Sequence, residues 1–511
     1  MRGAGRRGPH AARCGACRRR RRGAASPPHP PPPLSRDAQT YTSAYLAASP
    51  PIAPPGSTAP APLATFSALP APQGGASDSG ALLAVGGPVW GLDWAPPSAG
   101  RLLAVAAAPA ARAATPLLAT VSGPAMVQVW EVPNKGAVPS LAIALAVDGG
   151  VVRCLKWRPA CSAAAPAASA GLLAAIQSDG MLTVWVVPTA EHAAATFRGR
   201  PGPRVARAAP LATAPTGGPP TALAWSPRRP YDELVTASAD GSATLWRLEE
   251  QECGGPPRLV RLLRTPARGP PLRAAAFPPP EIGLAHPGVP ALRPFAVAGH
   301  GGDGAVWDAA APGAPALVAP APRAWTMAVA WLASPLGLLL AQDGGKLTLA
   351  PLEGVASGGT PPATMWCLDK GRTATVWDVA ALPSSSVVAY ATGAGDVAAF
   401  DVLPVARGRG PPRAHAPLSG FRRLSSGALS APRAPDLASD ARLATREGQG
   451  KTGRAGAATP RQAAPDAGLA VHRVAWRRGR GARATLAAGG GAGVVRVHEV
   501  DVGRAVGGGG G

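Results

Sequence analysis

The side chains that could carry chemistry in this 511-residue chain are eight histidines, six cysteines and 28 Asp and Glu residues, set against 51 Lys and Arg. Nucleophilic or metal-assisted catalysis needs such groups in spaced sets, and the sequence holds none: GxSxG, HExxH and P-loop patterns are absent. Cys14 and Cys17 form a lone CxxC, but a zinc site takes about four ligands and no second pair lies nearby. Cys154, Cys161, Cys253 and Cys367 show no disulfide framework, which fits a reducing compartment. The run Gly489 to Gly493 lacks the lysine and following helix of a phosphate loop. Glu249 and Glu250 end a strand-like stretch and read as solvated. The expectation is no enzyme: no catalytic residue, no cofactor, no metal and no small-molecule substrate.

Arginine and tryptophan are the informative types. The net charge of +23 is uneven: +9 falls in residues 1–75, +7 in 404–470 and +5 in 471–511, leaving +2 for 76–403. Basic ends on a nearly neutral body suit an acidic partner, either nucleic acid or protein. Arg473, Arg477, Arg478, Arg480 and Arg483 cluster within eleven residues. The last four read as an exposed turn, and Arg477, Arg478, Arg480 and Arg483 are the candidate contacts to phosphate or to an acidic surface. Thirteen tryptophans stand beside four tyrosines and six phenylalanines. Indoles can stack on nucleobases. Here they end alternating strands at regular spacing, which favours packing.

The elements behind those indoles repeat. Each unit has an alternating apolar strand ending in an aromatic, a Pro/Gly turn, a short small-residue strand, a turn and a second alternating strand. First strands end at Trp94, Trp157, Trp225, Phe277, Trp331, Val379 and Trp476. Third strands end at Trp130, Trp185, Trp246, Trp307, Ala350, Phe400 and Val497. Trp130, Trp185, Trp246 and Trp307 are 55, 61 and 61 residues apart, and long Ala/Pro loops account for the excess over a repeat of about 40–45. Asp179-Gly180, Asp240-Gly241, Asp303-Gly304 and Asp343-Gly344 mark the hairpins between second and third strands. A small antiparallel sheet cannot bury both faces alone, whereas radial stacking buries a continuous core. The reading is all-β, a seven-bladed β-propeller. Residues 81–85, "ALLAV", precede the first inner strand and are expected to supply the missing outer strand of the last blade.

The boundaries are a disordered basic, Pro-rich tail over 1–75, blades 1–6 over 76–403, a disordered basic insertion over 404–469, the last blade over 470–503 and a flexible Gly tail over 504–511. Arg18, Arg19, Arg20, Arg21 and Arg22 fit a nuclear localisation signal, with an organellar transit peptide as the rival. The apolar stretch 324–341 is interrupted by Ser334, Pro335 and Gly337, so it reads as two buried strands rather than a membrane span.

Two stretches go beyond a generic repeat: "GGPVWGLDWAP" at 86–96 and "AVHRVAWRRGRGARATLAAGGGAGVVRVHEV" at 470–500. With "WTMAVAWLASPLGLLLAQDGG" and "VVAYATGAGDVAAFDV", in this order, the chain resembles the WD40-repeat subunit of the RNA polymerase III general transcription factor TFIIIC. The Gly-His that opens many WD40 units is missing, and Gly299-His300 lies in a turn instead. The resemblance implies a nuclear, non-catalytic scaffold that joins other TFIIIC subunits and supports binding to the internal promoters of tRNA genes, with DNA contact made within the complex. The rival is another WD40 adaptor, such as a ubiquitin-ligase substrate receptor or a motor-complex subunit.

Overall fold

The structure is a computed structural model. It describes residues 38–46, 52–53, 63–70, 80–403 with breaks in several loops, parts of 416–430, 468–478 and 483–502. The Arg18–Arg22 run, Cys14 and Cys17, Arg480 and the Gly tail lie outside the described residues.

Seven antiparallel sheets each begin on an inner strand: Val89–Trp94, Val152–Trp157, Pro220–Trp225, Leu272–Ala276, Thr326–Ala333, Val376–Ala381 and Val471–Arg478. Each inner strand packs against the next, and the seventh packs against the first, so the ring closes. This is a seven-bladed β-propeller of WD40 type. Second strands such as Leu102–Ala107 are buried along their whole length. Fully buried alanines, among them Ala104, Ala106, Ala174 and Ala389, let neighbouring sheets approach closely. The strand-ending indoles occupy the core: Trp94, Trp130, Trp157, Trp185, Trp225, Trp246, Trp331 and Trp476 are buried, and Trp307 is half-buried against Phe295 and its neighbours. Three inner-strand indoles donate to the backbone of the preceding blade: Trp94 Nε1 to Ala475 O, Trp331 Nε1 to Ala276 O and Trp476 Nε1 to Ala380 O, each at 3.1 Å.

The outer strand of blade 7 is Gly80–Ala84, which pairs antiparallel with Val494–Asp501, Leu82 opposite Arg496. The closing strand therefore comes from the N-terminal side of the chain. The hairpin glycines behave as the Asp-Gly pattern requires, with positive φ at Gly180, Gly241 and Gly344. In the fourth blade that role falls to Gly302, while Gly304 begins the third strand. The 324–341 stretch forms the strands Thr326–Ala333 and Leu336–Gln342. No helix among the described residues is long and apolar enough to cross a membrane.

Several expectations are corrected. Residues 1–75 are not uniformly without structure. Helix α1 (Ala38–Leu46) buries Tyr41 and Tyr45 in the core shared by blades 1 and 7, and Ala68–Pro70 adds a fifth strand to blade 7 beside Leu82 and Leu83. Pro and Ala dominate the composition there, but two tyrosines four residues apart give one helix face enough apolar surface to dock. Residues 404–469 also hold strands: Ala416–Gly420 is the outer strand of blade 6, paired with Asp396–Ala399, so that blade extends past 403. A two-residue strand at Leu429–Ser430 runs beside Ile52–Ala53. Glu249 is not simply solvated, since Arg258 bridges it at 3.4 Å across the hairpin. In blade 2, helix α2 (Ala190–Thr196) and the strand Val205–Arg207 precede the outer strand Ala212–Pro215, and Val205–Arg207 runs parallel to the outer strand of blade 1.

Candidate functional site

The seven inner strands share one irregularity. Each skips one residue in its pairing with the second strand, and the skipped residue is always the second of the inner strand: Trp90, Arg153, Thr221, Arg273, Met327, Trp377 and His472. A bulge breaks the two-residue alternation and re-aims a side chain. Repeated seven times around an axis, it makes a ring, and all seven residues line one cavity of about 170 Å³ at a mouth of the central channel. Arg112, Val151 and Arg473 complete its wall. A larger space of about 390 Å³ continues along the channel past Lys156, Asp378 and Pro227.

The aromatic side of the ring is locked. His472 stacks on Trp90 with centroids 4.5 Å apart, and Trp377 meets His472 edge-on at 5.2 Å. His472 Nδ1 lies 3.2 Å from Val89 O. A carbonyl can only accept, so Nδ1 carries the proton. Burial first, and then the neighbouring Arg473 and Arg273, hold the His472 pKa down to about 4, so the ring is neutral at physiological pH. Arg473 donates from Nε to Trp90 O at 2.8 Å.

The basic side is less satisfied. Arg153 is buried and donates to Ala119 O at 2.7 Å, which ties down the long loop of blade 1, while Arg112 donates to Ser122 O in that loop. Arg273 finds no hydrogen bond or carboxylate among the described residues. Burial, reinforced by Arg473 and Arg153, pulls its pKa down to about 10, leaving it charged at neutral pH. Deeper in the channel Lys156 pairs with Asp93 at 3.2 Å, and Asp378 accepts from Val474 N at 2.9 Å. The mouth therefore presents four guanidinium groups beside two indoles, with the carboxylates set further in. On the neighbouring rim, Trp325 is 54% exposed and stacks on His300.

The arginines singled out from sequence are distributed differently. Arg477 and Arg478 belong to the inner strand of blade 7 rather than to the turn after it, and Arg483 opens the next strand, exposed. Arg477 is half-buried: its guanidinium sits 5.7 Å from the Trp94 ring centroid and donates to Gly100 O at 2.7 Å. Burial, then Arg101, lowers its pKa to about 10. Arg473, read only as one of a cluster, faces the channel instead. Sequence reasoning missed Trp90, Arg112, Arg153, Arg273 and Trp377. One signal existed: Trp90, Arg153, Thr221, Arg273, Met327 and His472 each stand four positions before a strand-ending aromatic.

Among the described residues no group of three or more His, Cys, Asp or Glu could hold a metal ion. A recessed mouth with charged and aromatic walls is a candidate binding site. No protein-family profile matches the chain. Two curated relatives are similar to it over part of its length. "General transcription factor 3C polypeptide 2" of Homo sapiens is 27% identical over 195 residues, covering 32% of this chain and 21% of the relative. The protein of the same name from Pongo abelii gives the same figures. The match thus spans about a fifth of the length of these relatives. A crystal structure of Saccharomyces cerevisiae Sqt1 superposes with a TM-score of 0.49 at 12% identity, covering 81% of this chain and 96% of that one.

Proposed function

We propose that this chain is a non-catalytic scaffold subunit of a TFIIIC-type complex, joining other TFIIIC subunits and supporting their hold on the internal promoters of tRNA genes in the nucleus. One observation carries the reading. The two stretches most like the TFIIIC subunit, 86–96 and 470–500, lie far apart in sequence yet meet at the seam between blades 1 and 7. There Trp90 stacks on His472, Trp94 bonds Ala475 O and Arg477 covers Trp94. The partial match to general transcription factor 3C polypeptide 2 supports the same reading.

Direct DNA contact within that assembly falls to Arg478, Arg480 and Arg483, since Arg477 is engaged with Gly100 O and Trp94. Affinity purification of the tagged protein tests the assignment: TFIIIC subunits and tRNA-gene DNA should co-purify, and a cullin adaptor or motor complex in their place would refute it. A fusion of residues 1–75 to a fluorescent protein should enter the nucleus through Arg18–Arg22. Accumulation in an organelle would reject that signal. Replacing Arg478, Arg480 and Arg483 by Gln should flatten the slope of log K against log salt by roughly 2–3, at about 0.9 per lost phosphate contact. An unchanged slope removes these arginines from the DNA interface.

A further inference from the structure

We infer that the channel mouth is a receptor for an acidic peptide, taking one carboxylate side chain from an extended segment of a partner protein into the ring of bulged residues. The inference rests on the scaffold reading and not on membership of a particular complex.

Charge, size and access argue for this occupant together. Arg112, Arg153, Arg273 and Arg473 converge on one cavity, and no carboxylate lines it among the described residues. Arg112, Arg153 and Arg473 already donate to backbone carbonyls. Among the described residues Arg273 has no such acceptor, which leaves its guanidinium fork for a planar, two-oxygen acceptor. The cavity of about 170 Å³ suits a side chain and not a folded surface. Its walls are recessed, with Arg153, Met327 and His472 all buried, so phosphates on the outside of a duplex cannot reach them. One face of Trp90 is already covered by His472, and Trp377 packs against both rings, which leaves the indoles as apolar wall for a thin peptide. Outside the mouth, the exposed Trp325 offers a platform for the residues flanking the carboxylate.

Arg273 lies beside Arg473 and Arg153, whose like charges act on it. A bound carboxylate relieves that repulsion, and a peptide delivers it with backbone long enough to cross the rim.

The test uses the full chain and a fluorescein-labelled decapeptide of alternating Ala and Ser with two central glutamates. Its twin carries glutamines, and a ten-nucleotide oligothymidine serves as the nucleic-acid probe. By fluorescence anisotropy the glutamate peptide should bind at least tenfold tighter than its twin. Arg273→Gln should weaken it at least tenfold, while Arg258→Gln, on the outer strand of blade 3, should leave it unchanged. Because Arg273 has no hydrogen-bond or carboxylate partner among the described residues, Arg273→Gln should melt no lower than the wild-type protein. Met327→Glu, which tethers a carboxylate inside the ring, provides a second route: it should abolish peptide binding and raise the melting temperature. Equal binding of the two peptides, or an Arg273→Gln variant that binds like wild type, overturns the inference. So does oligothymidine that displaces the peptide and loses its own affinity in Arg273→Gln, for the mouth would then be a nucleic-acid site. Failure here leaves co-purification with TFIIIC subunits untouched, and loss of that co-purification leaves peptide binding untouched.

Discussion

Tyr45→Phe measures what α1 contributes to the ring. The Tyr45 hydroxyl sits at the end of the ladder between the second and third strands of blade 1. It donates to Ala107 O at 2.9 Å and accepts from Met126 N at 3.0 Å. The ring itself is fully buried and tilts against Phe66 at 6.3 Å. Phenylalanine keeps the ring and deletes the oxygen, so one N–H and one C=O are left buried without a partner. Each costs about 1–3 kcal/mol. Partial re-pairing of Ala107 with Met126 across the ladder sets the low end, for a net loss of about 2–4 kcal/mol. A free tail would predict a change within about 0.5 kcal/mol. Urea unfolding followed by tryptophan fluorescence separates the two, with the midpoint falling at constant slope. Alkali adds a second arm. Burial pushes the Tyr45 phenol far above its usual value, so the folded chain keeps a proton that the unfolded chain releases near pH 10. That stability is complete below about pH 10 and is lost as pH rises beyond it; the Phe variant lacks this loss. Superimposable urea curves for wild type and Tyr45→Phe would refute the docking of α1.

Deleting residues 1–85 should expose Val494–Asp501 as an unpaired edge and cause association visible by light scattering; a stable monomer would contradict the closure. Excising 404–469 strips blade 6 of Ala416–Gly420 and should broaden thermal unfolding, whereas excising 431–467 removes no described strand and should leave the transition sharp. Equal melts would show that strand to be dispensable. His472 gives an acid prediction. Its folded pKa of about 4 lies below the unfolded value of about 6.5, so its contribution is present above pH 6.5 and is lost as pH falls toward 4. The loss amounts to about 3 kcal/mol, and His472→Phe should remove it from the stability profile. A profile identical to wild type would place the protonation elsewhere.

The blades were legible because their signal is periodic. Alternation, a terminal aromatic and an Asp-Gly hairpin recur often enough that each unit supports the next, and Trp130, Trp185 and Trp246 lie where that pattern puts them. The closing strand was legible for a topological reason: "ALLAV" had a strand pattern and no blade of its own. The ring at the channel mouth was not legible, because a bulge defeats the alternation from which facing is read. Trp90 shares the parity of Trp94 in sequence, yet the skipped residue changes which way it is aimed. Helix α1 and the strand Ala416–Gly420 were hidden by composition. Runs of Ala, Pro, Ser and Arg resemble unstructured chain, and what orders these short pieces is tertiary pairing with blades 1, 6 and 7.

The seam that closes the ring is also one wall of the mouth. Trp90 comes from the first blade and His472 and Arg473 from the last, so their contacts cross the seam, and the N-terminal strand Gly80–Ala84 completes that last blade beside Val494–Asp501. Opening the seam and dismantling the mouth are therefore one event. Whatever binds the mouth binds only the closed ring, and it must stabilise that closure by RT ln(1 + [L]/Kd), about 2.7 kcal/mol at a hundredfold excess over Kd. A propeller fastened by hydrogen bonds and packing between chain segments about 400 residues apart thus couples its integrity to occupancy.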